Sequence, residues 1–162
     1  YPPNIEAALY IKNQLMPLLE KQIPTIQCLI SGVNPTNILK KCASDNFIVS
    51  GWVEDIRDSY GNAKIFIAPM MLGTGLQNKL LEAMAMGLPC ITTTLANNAL
   101  NAIPNQQILI ADTENEFINQ VNLLMNDARF YQLIAENGQA FVKENYQWSV
   151  INDRLIGMIQ SE

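Results

Sequence analysis

Five short apolar runs, each closed by turn residues and separated by stretches of helical periodicity, set the frame for this chain. They are Thr25–Ile30 before Ser31-Gly32, Asn46–Val49 before Ser50-Gly51, Lys64–Ala68 before Pro69, Pro89–Thr92 before Thr93-Thr94, and Gln107–Ile110 before Ala111-Asp112. Their shortness, β-branched content and lack of alternation predict strands buried on both faces, as in a parallel sheet. Between them the periodicity predicts helices over Asn4–Glu20 with a kink at Pro17, Pro35–Ala43, Val53–Gly61 capped by Asp55, and Gly75–Met86 closed by Gly87. Further helices are predicted over Thr113–Asn126, Ala128–Glu144 and Val150–Gln160. Strands alternating with helices define an α/β fold, a doubly wound parallel sheet in three α/β/α layers.

A right-handed crossover needs a strand ahead of its helix. This chain opens on a helix, so a first strand is expected upstream of Tyr1. A length of 162 residues suits one domain, and no repeat, linker or low-complexity tract divides residues 1–162. Apolar residues make up 49% and charged residues 15%, enough for one buried core. The net charge of −5 argues against general nucleic-acid binding, which needs a basic surface to neutralise phosphates. There is no histidine, which excludes a Ser-His or Cys-His catalytic unit and a His-ligated zinc within the chain. Cys28, Cys42 and Cys90 fit neither a disulfide framework nor a metal-binding pair, and are expected to be reduced packing residues in a cytosolic setting. No run approaches the roughly 20 apolar residues of a membrane span.

Chemistry concentrates in Lys64–Pro89, KIFIAPMMLGTGLQNKLLEAMAMGLP. A strand ending at Pro69 and a helix starting at Gly75 place Gly73-Thr74-Gly75 at the carboxyl edge of the sheet, where α/β folds bind ligands. Glycine permits positive φ and close approach of a ligand to the backbone. The free amides of a first helical turn, at the positive end of the helix dipole, favour a phosphate or diphosphate. A capping box of Thr74 and Gln77 with plain turn glycines explains the same residues, and the two readings are compatible. Within the helix, Gly75, Asn78, Lys79 and Glu82 share one face, and Leu76, Leu80, Leu81 and Met84 the other. Seven helical residues rise about 10.5 Å, which sets Glu82 below the glycine loop by roughly the length of a ribose. A carboxylate there can accept both hydroxyls of a 2′,3′-diol. A solvated pair with Lys79 at i−3 accounts for Glu82 equally well on spacing alone.

The run GTGLQNKLLEAMAMGLPCITT closely resembles the donor-binding motif of family 4 (group 1) retaining glycosyltransferases of the GT-B fold. FIVSGWVEDIRDSYGNAKIFIAPM and the closing QWSVINDRL are similar to flanking stretches of that family, so the resemblance covers nearly the whole chain from Thr25. It implies the Rossmann-like, C-terminal half of such an enzyme, binding a nucleotide-diphospho-sugar donor with no obligatory metal or other cofactor. An N-terminal acceptor domain of the same chain is the implied partner. By the same resemblance Glu82 matches the second Glu of the family's E-x7-E motif, which takes the ribose hydroxyls. Gly75 and Leu76 match the amides that meet the diphosphate, and Trp52 and Val53 the loop bordering the nucleobase. The motif's first Glu falls on Thr74, a departure that leaves the sugar contact at this position open. Gly73, Thr74 and Met71 border the expected sugar pocket, and Lys79 has either phosphate or a solvated salt bridge within reach. The implied setting is cytoplasmic, at most peripheral at the inner face of a membrane through the other half. By family habit it is bacterial polysaccharide biosynthesis.

Other residues carry plainer expectations. Tyr146 and Trp148 are expected to pack a final helix, and Trp52 to lie in the core or on the pocket rim. Met70 lines either pocket or core. Asp55 beside Glu54 and Asp58 is a helix cap rather than a metal cluster. Thr92–Leu95 begins another loop at the same sheet edge, where its hydroxyls either reach a ligand or cap a helix, and capping is the expectation. Two other functions compete with a transferase. One is a stand-alone nucleotide-binding or regulatory module, favoured by Thr74. The other is a nicotinamide-dependent oxidoreductase, opposed by Asn78 at the third glycine position and by Thr92-Thr93-Thr94 where an acid is needed.

Overall fold

A computed structural model describes residues 2–73 and 75–147. Thr74, Trp148 and the expected helix at Val150–Gln160 lie outside the described residues. The long opening helix comprises α1 (Pro2–Tyr10), a π-helical stretch (Ile11–Leu15) and α2 (Met16–Gln22). After it come β1 (Cys28–Ser31), α3 (Asn37–Lys41), β2 (Phe47–Gly51), α4 (Ile56–Gly61), β3 (Phe66–Ala68) and α5 (Asn78–Ala85). The order closes with β4 (Cys90–Thr92), α6 (Thr94–Leu100), β5 (Leu109–Ile110), α7 (Glu114–Asn126) and α8 (Ala128–Tyr146). The distortion expected at Pro17 appears one turn earlier. Pro17 cannot donate to the helix ladder, and the chain widens into the π stretch just ahead of it, Met16 N–H bonding to Ile11 C=O.

Every strand pairing is parallel, in two groups: β1 with β2, and β3-β4-β5 in that order. Layering is clearest along β4, where consecutive residues face opposite cores. Cys90 is buried among Leu80, Ala83, Met84, Leu100 and Ile108, beneath α5, α6 and α8. Ile91 is buried among Leu15, Leu19, Phe47, Leu109, Phe117 and Val121, beneath α2 and α7. A strand covered on both faces needs no polar alternation, which is why PCIT and QILI read as unbroken apolar runs. The expectation of two-faced burial is not met among the described residues at β1 and β2, where Leu29 and Ile48 are each 40% exposed. The two groups of strands nonetheless share one core, because Cys28, Ile30 and Val49 pack with Ile65 and Ile67 against the Phe47–Phe117 cluster.

Caps fix the helix boundaries. Thr113 and Glu116 form a reciprocal capping box on α7, and the Asp127 side chain accepts from Phe130 N–H to start α8. Asp55 starts α4 as expected, accepting from Arg57 N–H at 2.9 Å. The Arg57 guanidinium on the same carboxylate holds its pKa below the usual range. The helix cap expected within Thr92–Leu95 starts α6, whose extent the sequence pattern leaves unassigned. The Thr93 hydroxyl caps it, the Asp112 carboxylate binds the N–H and hydroxyl of Thr94, and left-handed Asn101 ends it. All three cysteines are free, Cys90 buried and Cys28 and Cys42 half-buried. Burial pushes the Cys28 thiol up to about 12, Lys12 pulling weakly the other way, so it is a thiol and not a thiolate at neutral pH. No helix among the described residues is long and apolar enough to cross a membrane.

Candidate functional site

The carboxyl ends of the strands gather the loops that the sequence singles out. After β3 the chain runs through Pro69 and Met70, both buried, and reaches the surface at Met71 and Leu72. Two buried threonines at the end of β4 anchor this exit. Thr92 Oγ1 donates to Ala68 C=O and Thr93 Oγ1 to Met70 C=O, each at 2.7 Å. Their hydroxyls are thereby engaged, and Met70, 1% exposed, is core. Gly73 adopts φ +95°, as the loop reading requires. A Cβ built on Gly75 would meet open space, so the backbone there is approachable from outside.

Helix α5 begins at Asn78, not at Gly75. Gln77, only 8% exposed, holds the N-cap position without a side-chain cap, and its amide donates to Gly75 C=O at 2.9 Å. Gln77 is thus not the third helical residue that the expected capping box needs, Gly75 and Leu76 precede the helix, and Thr74 lies outside the described residues. The later start also shortens the helical climb to Glu82. Four residues separate Asn78 from Glu82, about 6 Å or one turn, so Glu82 lies in the second turn of the helix.

The solvated Glu82–Lys79 pair is absent. Lys79, half-buried, directs its ammonium to Asn4 Oδ1 at the start of α1, and burial lowers its pKa. Glu82, exposed, accepts instead from the phenol of Tyr60 on α4, 2.9 Å from Oε2. Among the described residues the ion pair formed is Arg57–Asp55, which leaves both Lys79 and Glu82 without a charged partner. Asn4 also lines a cavity of about 230 Å³ beyond the end of β1, formed with Ile30, Ser31, Asn34 and Thr36. Lys79, in the first turn of α5, thus bonds to a residue that lines this cavity.

Trp52 follows β2 and is 68% exposed, so it belongs to the rim and not to the core. Val53 beside it is half-buried. Met71, Leu72 and Leu76, each more than 40% exposed, flank the glycine loop after β3, and Trp52 is an exposed aromatic after β2. Tyr146 packs as expected, edge-on to Phe141 and donating to Leu100 C=O at 3.0 Å. Sequence reasoning overlooked Tyr60 and Asn4. Neither has a spacing relation to α5 in the sequence, and only the fold brings them to Glu82 and Lys79.

Comparison with known proteins gives the family and the fold. The family model described as "Glycosyl transferases group 1" matches residues 1–127. An uncharacterized 44.6 kDa protein in the cps region of Klebsiella pneumoniae is 28% identical over 154 residues, 90% of this chain and 40% of that protein. The crystal structure of Anabaena Alr3699/HepE in complex with UDP and glucose superposes with a TM-score of 0.78 at 16% identity, over 93% of this chain and 45% of that one. The C-terminal domain of a glycosyl transferase group 1 family protein (LpcC) from Francisella tularensis gives 0.71 at 17% identity, over 91% of this chain and 82% of that one. The chain therefore spans less than half the length of the Klebsiella protein and of HepE, and at these identities the structures show a shared fold.

Proposed function

Because the chain belongs to the group 1 glycosyl transferases, we propose that it binds the nucleotide-diphospho-sugar donor for a retaining sugar transfer to an acceptor hydroxyl. The backbone at Gly75 and Leu76 receives the diphosphate, and the uncompensated ammonium of Lys79 adds charge attraction. Glu82 takes the ribose hydroxyls, Trp52 and Val53 border the base, and Gly73, Thr74 and Met71 border the sugar. In transfer, the bond from the anomeric carbon to the diphosphate breaks with its electron pair on the phosphate oxygen, the acceptor oxygen bonds to that carbon, and the proton of the acceptor hydroxyl passes to the departing diphosphate. Fixed backbone dipoles and Lys79 stabilise the departing charge without an obligatory metal. An acceptor domain in the same full-length protein holds the second substrate, and the reaction is cytoplasmic, at most peripheral to a membrane. A further parallel strand between β1 and β3 completes the sheet, a reading that the split of the pairings into two groups supports.

One observation carries the proposal: an exposed carboxylate one turn into α5, unpaired with any cation among the described residues, on the helix that follows an approachable glycine backbone. The UDP in the HepE complex supports the ligand class. Calorimetric titration with UDP, GDP, ADP and NAD tests it. At least one nucleoside diphosphate is expected to bind and NAD to give no heat. Binding of NAD alone would replace the transferase with an oxidoreductase.

A further inference from the structure

We infer that Tyr60 is a positioning residue for this site: its buried phenol holds Glu82 Oε2 so that Oε1 is kept ready for a ribose diol. The inference deepens the proposed donor-binding reading and rests on it. Tyr60 lies on α4, 22 residues before Glu82, and is only 7% exposed. Its ring is fixed edge-on against Phe66, centroids 5.7 Å apart, within the core that also holds Ala68, Met70 and Leu80. The hydroxyl has one proton to donate. Its contact with Lys79 C=O is long at 3.5 Å, whereas Glu82 Oε2 lies at 2.9 Å, so the carboxylate is the principal acceptor. Burial, reinforced by the Glu82 carboxylate, raises the phenol's pKa, which keeps it a donor across the physiological range.

The consequence for binding is geometric. A glutamate on an exposed helix face samples several rotamers, and a ligand that needs one of them must order it. A rigid donor from the core removes part of that ordering beforehand. Only Oε2 is engaged among the described residues, so Oε1 is the acceptor left for a hydroxyl. The phenol does not touch the ligand in this arrangement. It acts through the carboxylate.

Calorimetry on Tyr60→Phe tests this, because the substitution keeps the ring against Phe66 and removes only the donor. The ligands are whichever of UDP, GDP and ADP binds the wild-type protein most tightly, and the 2′,3′-dideoxy form of the same nucleotide. Tyr60→Phe is expected to weaken the ribonucleotide about fivefold and leave the dideoxy form unchanged, shrinking the preference for the diol. In a Glu82→Ala background the same change is expected to have no further effect, since the coupling runs through the carboxylate. Equal weakening of both ligands would assign Tyr60 a purely structural role, and an unchanged preference would overturn the inference while the donor-binding reading stands. A wild-type protein that binds no nucleotide, or ignores the diol, would overturn both.

Discussion

Glu82→Ala is expected to weaken binding of the donor nucleotide about 30-fold, the loss of hydrogen bonds to a charged acceptor. Stability should respond far less. The side chain is exposed and makes no ion pair, and its one described partner is Tyr60, whose hydroxyl still has Lys79 C=O within 3.5 Å. A fall in melting temperature of no more than about 4 °C is expected, the equivalent of one weakened hydrogen bond in a domain of this size. Glu82→Gln sharpens the comparison, since it preserves volume and an acceptor for Tyr60. It should melt with the wild type and still bind poorly. Parallel calorimetry and thermal unfolding measure both quantities. A large stability loss with unchanged affinity would make Glu82 a structural residue.

The second large effect falls on stability and lies behind the site. Gly138 on α8 packs so closely that an added Cβ would lie 2.9 Å from Gln107 C=O and 3.4 Å from Met84 Cε on α5. The methionine tip can yield, but the carbonyl belongs to the backbone leading into β5 and cannot move without disturbing the strand. Gly138→Val is therefore expected to cost about 3 kcal/mol, near the upper end for overpacking a well-filled interior. That lowers the melting temperature by roughly 6–12 °C for a domain of this length. Gly138→Ala should lie between the two, its clash partly offset by about 1 kcal/mol of helix propensity. Thermal unfolding of the series decides it. Valine melting above glycine would mean that α8 does not bear on the β5 approach as described.

Particular residues show where the sequence was a sufficient guide. Cys90 and Ile91 face opposite cores, so the strand they occupy had to read as unbroken apolar residues, and the pattern led directly to a parallel sheet with helices on both sides. At Leu29 and Ile48, each exposed among the described residues, the same pattern overstated the burial. The periodicity of LLEAMAMG located α5, but its start depends on Gln77 turning its amide back to Gly75 C=O, an uncommon beginning without the usual capping signature. The extent of α6 was hidden for a related reason. TLANNAL is short and contains two asparagines, and the carboxylate that stabilises its first turn comes from Asp112, 18 residues away.

The site follows the same division. Residues linked by helical spacing, such as Lys79 and Glu82, could be assigned to one face from the sequence, but their partners could not. An i, i+3 Lys and Glu suggest a pair, yet the fold gives Lys79 to Asn4 and Glu82 to Tyr60. These contacts depend on the packing of α1 and α4 beside α5, which no local pattern encodes. The glycines and the carboxylate were legible because backbone freedom and charge are properties of single residues. Their hydrogen-bond partners are a property of the tertiary structure.

The most direct test is a crystal structure of the protein soaked with a UDP-sugar, or with the sugar nucleotide of whichever base calorimetry selects. The account predicts the diphosphate against the amides of Gly75 and Leu76, and the ribose hydroxyls on Glu82 with Tyr60 still bonded to the same carboxylate. A nucleotide bound elsewhere, or bound at this loop with Glu82 making no contact to the ribose, would contradict it.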